Sequence, residues 1–257
     1  MMQEKEKERY LRQMAVKEWG EKGQEAMKKS TFLIIGAGGL GCPAAQTLAA
    51  SGAGRLLLVD GDVVETNNLS RQFLHTAERL GMNKAESAAL ALRALNPYVQ
   101  IEPIPRRVDE EALRPLVRRA DVVLDCCDNS ATRHAVNRVC HDERKPLVTA
   151  GCIRAMGQIS VFDFRTQSEP CYACSFPKDS EQDLKASSLG VLTILTTLMG
   201  TLEAAEAAKL VTGAGSVLTS RLLLVDLLHG DFQTLALTPD PDCLVCGRRR
   251  SSSAGLS

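Results

Sequence analysis

The chain has no charge surplus: Lys and Arg together number 31, and Asp and Glu also 31. Neutralising nucleic-acid phosphates takes an excess of Lys and Arg on one face, so this balance argues against a nucleic-acid partner. The local basic clusters, Arg106-Arg107, Arg114 with Arg118-Arg119, and Arg248 to Arg250, read most simply as solvated surface and tail. Long hydrophobic runs are missing too. Leu189 to Leu202 is too short and too rich in Thr and Gly for a membrane span, and it continues into Glu203, Glu206 and Lys209. A buried helix is expected there, and no membrane partner. The first residues are a charged, helix-favouring run without the apolar core of a signal peptide, so the expected location is cytoplasmic. No internal repeat is present. The nine cysteines make an odd number, which suits a secreted disulfide framework poorly.

What is there is organised around Thr31 to Asp62. An apolar run ends in Gly36-x-Gly38-x-x-Gly41, a small-residue helix follows, and a second apolar run ends at Asp60-Gly-Asp62. This is the pattern of a βαβ nucleotide-binding unit. Gly36 allows the tight turn, Gly38 a close approach of backbone to phosphate, and Gly41 tight packing of helix on strand. Asp60 is placed to face ribose hydroxyls. A strand-to-helix turn with no ligand would use the same glycines, so the nucleotide and its use must be read elsewhere.

Beyond this unit, the polar loop Asp60 to His75 lies past a strand's carboxyl end, where open α/β sheets bind ligands. Lys84 opens a helix that Asn96-Pro97 stops; a cation in a first helical turn is unfavourable unless an anion sits beside it. Asp121 to Asp125 reads as a buried strand, and Asp128-Asn129-Ser130 as an N-cap cluster or as ligands on the same rim. From Gln158 the alternation changes to an antiparallel extension. Phe176 to Ser188 reads as a long polar loop, Leu189 to Val211 as a helix, and Leu222–Leu227 with Phe232–Leu237 as a hairpin about Gly230. The expected fold is α/β: a Rossmann-like, mostly parallel sheet flanked by helices, with an antiparallel C-terminal extension and a structural zinc site. The expected organisation is N-terminal helices over 1–30, a nucleotide-binding half over 31–155, a second half of the same domain over 156–250 that carries the zinc site, and a disordered tail over 251–257.

Cys171-x-x-Cys174 and Cys243-x-x-Cys246 each follow a strand-like segment, so each can present two thiolates to one tetrahedral zinc ion. A redox dithiol and unlinked buried thiols remain as alternatives, although neither pair opens a helix in a thioredoxin-like pattern.

Taken in order, Arg9-Tyr-Leu-Arg-Gln13, Gly36-Ala-Gly-Gly-Leu-Gly41, Asp60-Gly-Asp62, Asn68-Leu-Ser-Arg-Gln72, Lys84, Asn96-Pro97, Asp125-Cys-Cys-Asp-Asn129 and both cysteine pairs resemble the ThiF/MoeB/HesA family over nearly the whole chain. The resemblance implies ATP-dependent adenylation of the C-terminal glycine of a small ubiquitin-like sulfur carrier ending in Gly-Gly. Displacement at phosphorus demands positioning and charge neutralisation rather than a protein nucleophile. Asp60 would hold the ribose, and Gly38, Gly39, Asn67 and Asn68 would surround sugar and phosphates. Arg71 and Lys84 would neutralise phosphate oxygens, Asp128 would hold Mg²⁺, and Asn129 would join the residues that bind the nucleotide. By resemblance Arg12 would reach the ATP of the partner subunit in a homodimer. Many relatives carry a cysteine between the first pair and the long helix; Ser175 to Ser188 contains none, with Ala186 near the aligned place. The expectation is adenylation without a covalent enzyme thioester or disulfide at that loop. The main rival, an NAD-dependent oxidoreductase, fits the glycines and Asp60 but leaves Arg71, Lys84 and Asp128 without a role. A non-catalytic scaffold binding a ubiquitin-like protein is the other alternative.

Overall fold

The computed structural model describes residues 2–166, 170–177 and 189–247. Helices α1 (Glu4–Met14) and α2 (Gly20–Lys29) open the chain, and Gly20 takes φ +57° at the break between them. Then follow β1 (Thr31–Ile35), α3 (Gly41–Ala50), β2 (Arg55–Val59), α4 (Lys84–Leu95), β3 (Gln100–Ile104), α5 (Glu110–Arg119), β4 (Val122–Asp125), α6 (Ser130–Asp142) and β5 (Leu147–Ile153). The second half comprises β6 (Met156–Phe162), a single turn α7 (Tyr172–Ser175), the long helix α8 (Thr193–Thr212), β7 (Arg221–Asp226) and β8 (Asp231–Ala236).

The eight strands among the described residues join one sheet in the order β3-β2-β1-β4-β5-β6-β7-β8. Pairings from β3 to β5 are parallel, and those from β5 to β8 are antiparallel, as the change of pattern after Gln158 predicts. Alternate residues feed two cores. Phe32, Ile34, Leu56 and Leu58 pack with α3, α4 and α8, whereas Leu33, Ile35, Leu57 and Val59 pack with α5 and α6. Burial on both faces is why these strands read as continuous apolar runs. The chain winds from β1 to β3 in one direction and from β4 onward in the other. The crevice beyond the carboxyl ends of β1 and β4 is therefore the topological switch point.

Two departures from the sequence reading have identifiable causes. Helix α8 starts at Thr193 rather than Leu189, because Gly190 is left-handed at φ +75° and Val191 bridges to Arg154. It ends where expected, at Gly213, with φ +72°. The cluster Arg114 and Arg118 is not free surface: both guanidiniums bond Glu143 and so clamp α5 to α6. Of the expected polar loop, residues 178–188 lie outside the described residues, as does the expected tail over 251–257.

Candidate active site

The glycine loop is backed from three sides. Gly36 takes φ +99°, and a Cβ there would lie 2.8 Å from Cys126 O; a Cβ on Gly41 would lie 1.8 Å from Gly36 O. Neither position admits a side chain. Asp60 holds the loop at its open side: Oδ2 accepts from Ala37 N–H at 2.8 Å and Oδ1 from Asp62 N–H at 2.8 Å. Beneath it, buried His75 donates from Nε2 to Ala37 O at 2.9 Å while Nδ1 meets Ser87 Oγ at 3.0 Å, a tautomer set by that network. Burial pushes the His75 pKa down, so the imidazole stays neutral.

Around this loop the structure gathers most of the sequence-predicted residues. A Cβ on Gly39 would lie 3.6 Å from Arg71 Cδ, and Arg71 Nη1 donates to Asn67 O at 2.8 Å. Asn68 is buried, donates to Asn67 Oδ1 at 2.6 Å and accepts from Glu65 N–H at 3.0 Å, which folds the polar loop into a tight turn. Gly38 faces Gln72, whose buried amide oxygen has no partner among the described residues. Lys84 has the anion that its place in a first helical turn demands: Asp62 Oδ2 lies 3.4 Å from its Nζ. Asp62 is also bonded by Arg107 at 3.0 Å. The guanidinium of Arg107, with Lys84 adding to it, holds the Asp62 carboxyl below the usual carboxylate range.

Asp128 is exposed beyond the end of β4, and its charge is felt by Arg107. Among the described residues no hydrogen bond or ion pair engages it. Asn129 is the N-cap of α6, its Oδ1 accepting from Thr132 N–H at 2.9 Å, so the N-cap reading of this cluster holds for Asn129 alone. Arg12 is not brought to this rim. Its neighbours Tyr10 and Gln13 anchor α1 to Asn96 and to Ser51 O, at the C-terminal end of α3, whereas the glycine loop meets the N-terminal end. Arg12 itself is exposed.

The sequence reading misses the contributions of α8 and of Arg107. A Cβ on Gly200 would lie 2.3 Å from Leu40 O, so α8 packs directly on the loop before α3 and places Thr196 beside Gly39. The same helix buries Glu203 completely, with Oε2 3.4 Å from Cys126 Sγ and Oε1 unpartnered among the described residues. Nothing in the local pattern signals Glu203, which reads as one more helix former. Arg107 was legible in principle, because it follows the carboxyl end of β3 on the same rim, but a basic pair in a loop reads as solvated surface.

Burial pushes the Glu203 carboxyl well above its ordinary value, and nearby Asp125 adds to the effect. The native chain thus keeps a proton that the unfolded chain releases. This stability is present below the ordinary Glu range and declines as pH rises toward the elevated native value, by up to about 1.4 kcal/mol per pH unit. Glu203→Gln is expected to be more stable than the parent, with the gain widening as urea melts move from pH 5 to pH 8. Parallel stabilities across that range would show that Glu203 carries no such proton.

The cysteines divide in two. The four Sγ atoms of Cys171, Cys174, Cys243 and Cys246 lie within 4.8 Å of one another, with 3.6 Å from Cys171 to Cys243 and 3.2 Å from Cys174 to Cys246. Four thiolates about 2.3 Å from one zinc ion would be spaced about 3.8 Å apart, so the cluster is compatible with zinc. Convergence of both pairs on one point leaves neither as a separate redox dithiol. The remaining thiols, including half-buried Cys127 and Cys152, are pushed up by burial, Cys152 to about 12, and are therefore protonated near neutrality.

Sheet order, switch point and glycine loop together define a Rossmann-like α/β protein with a polar, charged rim at its ligand crevice. The chain belongs to the ThiF family, which matches residues 10–245. It is similar to adenylyltransferase and sulfurtransferase MOCS3 of Mus musculus, 44% identical over 244 residues that cover 94% of this chain and 53% of the relative. MOCS3 of Drosophila virilis is 42% identical over 241 residues, with 93% and 53% covered. The chain thus spans about half the length of the curated relatives it matches. Among solved structures, E. coli MccB with MccA-N7isoASN superposes with a TM-score of 0.81 at 22% identity, covering 94% of this chain and 74% of that one. PaaA superposes with a TM-score of 0.80 at 22% identity, covering 93% and 76%. At such identities the likeness supports the fold. No helix among the described residues is long and apolar enough to cross a membrane.

Proposed function

We propose that the chain is an ATP-dependent adenylyltransferase that activates the C-terminal glycine of a small ubiquitin-like sulfur carrier ending in Gly-Gly. The observation that carries this reading is the rim itself: Arg71, Lys84 and Asp128 stand around a glycine loop in a chain that is 44% identical to an adenylyltransferase and sulfurtransferase over 94% of its length. The carrier's carboxylate oxygen forms a bond to the α-phosphorus of ATP, the bond to the bridging oxygen breaks, and pyrophosphate leaves with that electron pair. Arg71 and Lys84 neutralise the phosphate oxygens as charge moves toward the leaving group. Asp60, its oxygens already receiving two backbone N–H groups, keeps acceptor capacity for ribose hydroxyls. Asp128, engaged by no hydrogen bond or ion pair among the described residues, offers a hard-oxygen ligand, and Mg²⁺ bound there would screen the triphosphate charge. Asn67, Asn68 and Asn129 shape the loops at the crevice's edge.

Residues 31–155 serve as the nucleotide-binding half and 156–250 as the carrier-binding and zinc half, after the N-terminal helices of 1–30. Exposed Arg12, far from its own crevice, acts on the partner subunit's nucleotide in a homodimer. The protein works in the cytoplasm. No enzyme thioester or disulfide forms at the loop 175–188, most of which, including Ala186, lies outside the described residues.

The test is ATP–pyrophosphate exchange dependent on a Gly-Gly-ended carrier. Exchange is expected with the carrier and not with a carrier lacking its last glycine. Absence of exchange together with NAD binding would transfer the site to an oxidoreductase. In the same reaction, a carrier-enzyme adduct cleaved by thiol would overturn the non-covalent route.

A further inference from the structure

Arg107 stands out among the charges at the rim because neither the sequence pattern nor the proposed reaction gives it a task. Its side chain is 87% exposed, yet it bonds Asp62 Oδ1 at 3.0 Å while Lys84 Nζ lies 3.4 Å from the other oxygen, Oδ2. One carboxylate thus sits between two cations, one of which is needed by phosphate. The placement of Arg107 is built into the backbone. A Cβ on Gly61 would lie 2.5 Å from Arg107 Cγ and 2.6 Å from Arg107 N, so the Asp60-Gly61-Asp62 turn packs straight onto the 106–107 segment. The turn is itself pinned: Asn83 Nδ2 donates to Asp60 O and Asp62 O, and Lys84 N–H donates to Asp62 O at 2.9 Å. The backbone of Asp62 is therefore held beside Lys84.

Two consequences follow from charge. An unneutralised Asp62 would hold the ammonium of Lys84, which is only 11% exposed, and would repel incoming phosphates at short range. A guanidinium on the outer oxygen weakens both effects, and Asp60 and Asp128 also act on that guanidinium. As a stabilising pair it is worth little, because it lies open to water.

We propose that Arg107 is a positioning residue of this site: it occupies Asp62, so that Lys84 is released to the triphosphate. This rests on reading the rim as an ATP site. Arg107 acts through Asp62, without touching the nucleotide.

The experiment compares Arg107→Ala, Arg107→Lys, Asp62→Asn and the double variant Arg107→Ala/Asp62→Asn. ATP affinity is measured by calorimetry without carrier, and KM for ATP and kcat by carrier-dependent exchange. Arg107→Ala should weaken ATP binding and raise KM by about five- to tenfold with kcat little changed, and Arg107→Lys should recover part of this. The double variant should bind ATP within about twofold of Asp62→Asn, because with no carboxylate to occupy there is nothing for Arg107 to do. If Arg107→Ala binds ATP as the parent does, the inference fails while the ATP site stands. If the double variant is as weak as Arg107→Ala, Arg107 acts on the nucleotide directly and the inference is again overturned. Failure of the parent chain to bind ATP would remove the ATP site itself, and the inference with it. Parent binding without exchange would remove only the carrier-activation reading, and the binding comparison would still decide the role of Arg107.

Discussion

Replacing Asp128 by Ala is expected to abolish carrier-dependent ATP–pyrophosphate exchange, a loss of about a thousandfold or more, while the protein folds and melts as before. The two halves of this expectation have separate grounds. Asp128 is exposed, and no hydrogen bond or ion pair engages it among the described residues, so its removal leaves no buried group unpaired. Surface changes of this kind shift stability by about half a kcal/mol at most. The same freedom suits the proposed metal ligand: a carboxylate at a strand's carboxyl end, on the crevice rim, held by no hydrogen bond or ion pair among the described residues. Asp125, three residues earlier, offers the contrast. It is fully buried and accepts from Cys127 N–H and Thr149 Oγ, so it supports the strand end and has no access to the crevice. Far-UV circular dichroism and a thermal melt accompany the assay. A fully active Asp128→Ala enzyme would remove this residue from the mechanism.

The second large effect concerns the four cysteines. Purified protein is expected to carry one zinc ion per chain, and Cys243→Ser is expected to lose it together with about 5 kcal/mol of stability, or roughly 10–20 °C in Tm. The site ties the segment after β8 to the turn of α7, two stretches with few other means of holding together. Residues 243 and 246 sit in irregular turns, and β8 is exposed along its whole length. Only on the inner side is there a core, where Cys171 and Tyr172 pack against Phe162, and Tyr172 N–H donates to Asn137 Oδ1 at 3.0 Å. Four thiolates on one ion leave no open position, so the role is structural. ATP binding at the rim should survive mild chelation. Zinc-free protein with an unchanged melt in Cys243→Ser would show that the cluster is four packed thiols and no more.

The strands and most helices were legible because their causes are local. Thr31–Ile35 and Arg55–Val59 are short apolar runs with glycine turns beyond them; Asn83 and Asp109 cap the helices they precede. Gly213 ends α8 in the left-handed conformation that favours glycine. The two Cys-x-x-Cys pairs announced a zinc site through donor chemistry, although only the fold shows that one tetrahedron can hold both. The start of α8 was misread because its apolar content continues upstream, while a bridge from Val191 to Arg154 takes that backbone out of the helix.

By itself, then, the sequence determined the α/β class, the glycine loop, the polar segments that follow β1, β2 and β4, and the grouping of cysteines into two Cys-x-x-Cys pairs, since all of these depend on side-chain type and spacing along a few residues. Only the tertiary structure decided which distant groups meet. It brought Arg107 to Asp62 across 45 positions of chain, set Glu203 of α8 against Cys126, and placed Arg12 at the far end of α3. The reason is that sheet order and helix packing set these distances. Burial and charge at the crevice depend on neighbours from other strands, which spacing along the chain does not encode.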